Sequence, residues 1–142
     1  MPYCTVEQLT ERYGAAMLIA LSDRAEVPTG AVDADLIDRA IADADSVIDG
    51  YLKVRYALPL ASPPRLVTDF SLRIAIYNAH AHVAAEKIVA DYKEALRQLQ
   101  QIAAGAMRLD LAGAEPAGSG SSEVRTNNPE RPMTAETMKG YI

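Results

Sequence analysis

The sequence predicts an all-α protein, a small bundle of about five helices with an extended C-terminal tail. Three observations point there. Apolar residues recur at helical spacing in two long segments, 35–55 and 86–104. No useful run of period-two alternation, the mark of a half-buried strand, occurs in the first 105 residues. Glycine and proline then crowd the end, where five of the eight glycines and three of the eight prolines lie from position 105 onward. The chain therefore divides into a helical body over 1–105, a linker over 106–130 and a terminal motif over 131–142.

The elements follow in order. Thr5 and Gln8 fit a capping box, so a short helix starts at Val6 and runs to Tyr13. Gly14 separates it from a second short helix, Ala15–Leu21. Pro28 and Gly30 make Ser22–Val32 a loop. Asp33 and Asp35 open the clearest helix, Asp35–Arg55, whose apolar face collects Leu36, Ile37, Ala40, Ile41, Ala44, Val47, Ile48, Tyr51 and Leu52. Pro59, Pro63 and Pro64 end that element, and a fourth helix begins near Pro64, since proline is tolerated in a first turn.

The fourth helix carries two apolar stripes. Leu66, Phe70, Ile74, Tyr77 and Ala81 form one; Leu72, Ile76, Ala79 and Val83 form the other. A helix apolar on two sides is either central to its own bundle or shared with a neighbouring subunit. The Phe70 side is assigned to the core, and Leu72, Ile76, Ala79 and Val83 to a subunit contact. A short break is expected near Val83–Ala85. The fifth helix, Glu86–Ala104, aligns Ile88, Tyr92, Ala95, Leu96, Leu99, Ile102 and Ala103, with Gly105 as its closing residue.

Composition narrows the function classes. A chain of 142 residues with 49% hydrophobic content is long enough for one real core. Its net charge of −5 argues against a protein held to nucleic acid by a basic surface. One cysteine allows no internal disulfide and no four-cysteine zinc site. The first ten residues lack a basic start and an apolar stretch, so no signal peptide is visible. The apolar run Ala15–Leu21 is far shorter than the roughly 18 residues of a membrane span. A soluble protein made in the cytoplasm is expected.

No catalytic constellation stands out. Cys4 has no histidine near it in sequence, and catalytic cysteines need a positioned base. On a helix, His80 and His82 would point roughly 160° apart and could not share a metal. A bend there would leave a two-histidine site open, with Glu86 its one obvious carboxylate, and ordinary packing or surface histidines are the expected reading. Asp35, Asp38, Asp45 and Asp49 form an acidic stripe, read first as a solvated face and second as contact with a basic partner or an inner ring wall. Seven tyrosines against one phenylalanine, Tyr51 and Tyr56 among them, suit half-buried positions and subunit contacts equally. No catalytic residue, metal or cofactor is expected.

The segment from Ala40 to Leu60, with its specific core Asp49-Gly-Tyr-Leu-Lys-Val-Arg-Tyr-Ala-Leu-Pro-Leu60, resembles the phage Mu-like head–tail connector family. The opening Tyr3–Gly14, the stretch Leu99–Gly105 with Leu109, and the end Arg131–Tyr141 are similar to the family's first helix, closing helix and terminal motif. Met133 departs from the aromatic residue commoner at its position. The resemblance implies a non-enzymatic virion protein made in the host bacterial cytoplasm and placed at the head–tail neck. Such a protein forms a homo-oligomeric ring, usually of twelve copies, beneath the portal protein. The ring joins the DNA-filled head to a stopper or tail-side neck protein. DNA passes through without sequence-specific binding, and no membrane is involved.

Within that frame the terminal residues Arg131, Met133, Met138, Tyr141 and Ile142 are expected to dock on a partner. The preceding linker could reach up to roughly 85 Å when extended. The acidic stripe could face the DNA channel, where negative walls avoid adhesion to phosphate. The alternatives are a tail-terminator ring protein and a non-virion helical assembly chaperone or regulator.

Overall fold

A computed structural model describes residues 2–60 and 62–110. Five helices follow one another: α1 (Val6–Tyr13), α2 (Ala15–Ser22), α3 (Ala34–Leu52), α4 (Arg65–Asn78) and α5 (Glu86–Ala104). No strand occurs among the described residues, and none of their helices is long and apolar enough to cross a membrane.

Local chemistry sets the helix boundaries. Thr5 Oγ1 accepts from the Gln8 backbone N–H at 3.3 Å, and Gln8 Oε1 accepts from the Thr5 N–H at 3.0 Å. This is the capping box expected of α1. Gly14, at φ +91°, turns the chain into α2. Buried Ser22 then joins two helix ends: its hydroxyl donates to Leu18 O at 2.7 Å and accepts from Asp33 N–H at 3.0 Å. Asp33, not Asp35, caps α3 by accepting from the N–H groups of Asp35 and Leu36. That helix stops at Leu52, three residues short of the expected Arg55, because Arg55 turns away to meet α5.

The core forms where α3 and α4 pack side by side, with α5 across both and the α1–α2 pair against the opposite flank. Ile37, Ile48 and Leu52 of α3 meet Val67, Phe70 and Ile74 of α4 and Leu99 and Ile102 of α5, all fully or almost fully buried. Burying side chains of this size contributes about 1.5–3 kcal/mol each before conformational entropy is subtracted. Leu109 is also buried, so the packed body continues past Gly105.

The fourth helix is the centre of this arrangement. It ends at Asn78, so Ala81 and Val83 lie beyond it in the Ala79–Ala85 connection, and the break falls earlier than the sequence suggests. The backbone N–H of Ala79 still donates to Ala75 O, and Arg24 Nη2 donates to Ala79 O at 2.6 Å. A cation at that carbonyl satisfies the end of α4 and ties the α2–α3 loop to it.

Candidate functional site

The expected subunit stripe on α4 is not a surface. Leu72, Ile76 and Ala79 are 6%, 1% and 2% exposed within the single chain, and Tyr56 is buried as well. Helix α4 needs two apolar faces because α3 and α5 both pack on it. Of the residues assigned to the interface, only Val83 stands free, at 97% exposure, while Tyr51 is half-buried. The docking residues Arg131, Met133, Met138, Tyr141 and Ile142 lie outside the described residues.

The acidic stripe divides in two. Asp35 and Asp38 are exposed on the first turns of α3. Asp45 and Asp49 instead hold the N-terminal segment. Asp45 Oδ2 accepts from the Tyr3 N–H at 3.0 Å, its Oδ1 accepts from the Ser71 hydroxyl at 2.7 Å, and Asp49 accepts from the Tyr3 hydroxyl. Burial raises the Asp45 pKa above its ordinary value, while the two donors pull it partly back. The same burial, with Asp49 beside it, raises the Tyr3 phenol.

Cys4 completes this cluster, its sulfur 3.1 Å from Ser71 Oγ. The serine's one proton is committed to Asp45, so the thiol is the donor in that contact. Cys4 is 1% exposed, and burial pushes its pKa up to about 11. A neutral thiol beside a carboxylate and a hydroxyl is a structural plug, the reverse of an activated nucleophile.

The Asp49–Leu60 block, the most specific stretch in the sequence, also acts inside the fold. Leu52 fills the core. Arg55 donates from Nε to Ala103 O and from Nη2 to Ala104 O, both at 3.1 Å, closing the last turn of α5 with a cation. The Tyr56 hydroxyl accepts from the Leu109 N–H at 3.0 Å. This block fastens the C-terminal end of α5 and the stretch through Leu109. Sequence periodicity could not show it, because Arg55 and Tyr56 reach partners some fifty positions away.

The two histidines sit beyond α4, so helical spacing does not govern them. His80 Nδ1 lies 2.7 Å from Ile76 O and carries the proton there. Among the described residues no group of three or more histidine, cysteine or acidic side chains is placed to hold a metal ion.

Surface apolar groups gather at α2. All of its residues except Ser22 are apolar, yet only Leu18 and Ser22 are buried, and Ala15, Ala16 and Ala20 face outward. A groove of about 490 Å³ joins Ala20 and Leu21 to the Ala81–Val83 loop, with Arg24 and His82 on its walls. Val27, 77% exposed, lies in the loop that leaves α2. A helix apolar all round is normally covered. No shorter reading of the sequence separates α2 from a core helix; only its exposure does.

A family model described as Bacteriophage Mu, Gp36 matches residues 3–127. The chain belongs to this phage family. Two relatives cover it almost end to end. Gene product J of Escherichia phage Mu is 30% identical over 145 aligned positions, spanning 100% of both chains. The Mu-like prophage FluMu protein gp36 of Haemophilus influenzae is 27% identical over 140 positions, spanning 99% of this chain and 98% of that relative. The matched region spans both the clamp at Arg55–Tyr56 and the α2 helix.

Proposed function

We propose that this protein is a structural virion component, a head–tail connector that forms a ring beneath the portal and joins the filled head to the next neck component. Family membership along the whole body carries the reading: the relation to phage Mu proteins extends over the entire fold and includes the Asp49–Leu60 block that resembles head–tail connectors. A phage-encoded, virion-associated role agrees with a small bundle whose polar clusters are spent on holding its own segments together. A closed ring needs two different patches on each copy, since head-to-tail contacts close by rotation. The exposed α2 face and the outer side of α3 at Val47, with exposed Val54 just past the end of that helix, are two such patches. Its partners in this reading are neighbouring copies, the portal protein and a stopper or tail-side protein, with DNA passing near the exposed Asp35 and Asp38.

The test is genetic and biochemical. Phage lacking this protein should accumulate DNA-filled heads without tails, and the protein should be found on filled heads purified from a tail-deficient mutant. Its presence on free tails alone would make it a tail terminator. Its absence from all particles would make it an assembly chaperone.

A further inference from the structure

We propose that the terminal segment 133–142 covers the α2 face and the Ala81–Val83 loop of its own chain in the free protein. Assembly would then release the segment and uncover the face. Three observations support this occupant over others.

The first is the face itself. An octapeptide with one polar residue leaves Ala15, Ala16 and Ala20 exposed, and Ala20 shares a groove with Leu21, Ala81 and Val83, the valine at 97% exposure. An apolar patch of this kind on a free protein calls for a cover.

The second is where the chain goes. The described body ends at Asp110, one residue after Leu109 is fastened to Tyr56 beside the C-terminal end of α5. The groove includes Val83, three positions before Glu86 opens α5 at that helix's other end. A helix of 19 residues is about 27 Å long. Nine of the twenty-two positions 111–132 are Gly, Ser or Ala, and a Gly/Ser-type linker of that length has a root-mean-square span of roughly 25 Å. Effective concentration is greatest when a tether's span matches the gap it must bridge. The linker is therefore matched to the length of its own body.

The third is chemical fit. Arg24, His80 and His82 line the groove and no carboxylate does. The segment 133–142 offers Met133, Met138, Tyr141 and Ile142 for the apolar lining. Its one side-chain carboxylate, Glu136, stands three residues from its one cation, Lys139, so the segment adds no net positive charge to a wall that already carries Arg24.

Hydrogen exchange of the full-length protein tests the proposal. Two variants release the contact from opposite sides: Met138→Asp with Tyr141→Asp on the segment, and Val83→Asp on the groove. Val83 is 97% exposed, so its substitution spares the core, and circular dichroism checks that both variants stay helical. In both variants the amides of α2 and of the 80–84 loop should exchange at least about tenfold faster than in the parent, at every protein concentration. Equal rates in parent and variants would overturn the proposal. Protection that grows with concentration would also overturn it and assign the face to a second copy. Because the measurement concerns the free chain alone, its failure leaves the connector reading intact.

Discussion

Asp45 shows how the physical role of a residue depends on what folds over it. As part of a stripe on α3 it reads as solvated, but the N-terminal segment crosses it and Ser71 reaches it from α4. Burial raises its pKa, so the folded chain binds that proton more tightly than the unfolded chain does. The sign follows: its stabilising contribution is complete below the unfolded value, near ~3.9, and is lost as pH rises through the higher folded value. Asp45→Asn removes the titration while keeping one acceptor. The stability of the parent relative to this variant should fall as pH rises from about 3 to 7, measured by urea unfolding. A difference that stays flat across the range would refute the raised pKa. Asp38, only two turns earlier on the same stripe, has no such cover, and nothing in residue type separates the two.

At the scale of elements, helix ends are closed by residues from elsewhere in the chain. Arg24 closes α4, and Arg55 closes α5. Gly105 matters twice at the second of these. Its φ of +83° suits glycine, and a Cβ there would sit 2.5 Å from Arg55 Cζ. Gly105→Ala should therefore cost about 1–2 kcal/mol, from backbone strain and from displacing the guanidinium. Arg55→Ala should cost about 0.5–2 kcal/mol through the unpaired carbonyls. Because both changes break one contact, the double variant should lose less than the sum in thermal unfolding followed by circular dichroism. Full additivity would mean that the guanidinium does not hold the helix end.

Most elements were legible beforehand. The capping box, Gly14 and Gly105 marked the bounds of α1 and α5 because caps are local chemistry. The end of α4 was not legible: Ala79, Ala81 and Val83 continue a helical pattern, while the chain breaks at Asn78 where Arg24 takes the Ala79 carbonyl.

For the whole molecule, the boundary of the body is a matter of packing. Leu109 is buried and hydrogen-bonded to Tyr56, so the body closes beyond the glycine that ends α5. A chain cut after Asp110 should keep its helical spectrum and unfold cooperatively. A chain cut after Gly105 should be about 2–4 kcal/mol less stable, from the lost leucine and the lost hydrogen bond to the Tyr56 hydroxyl. Equal stability of the two, measured by urea unfolding, would place the boundary at Gly105 after all.

The amino-acid sequence by itself determined the class of the fold, the order of five helices and the family resemblance, because periodicity, caps and signature blocks are written in neighbouring residues. Only the tertiary structure decided which apolar faces are core. Leu72 and Ile76 look like a spare face until the rest of the single chain covers them, and α2 looks like a core helix although the described residues leave Ala15, Ala16 and Ala20 exposed. Hydrophobicity states that a surface must be covered. The partner that covers it is chosen by packing over long separations, which no local pattern records.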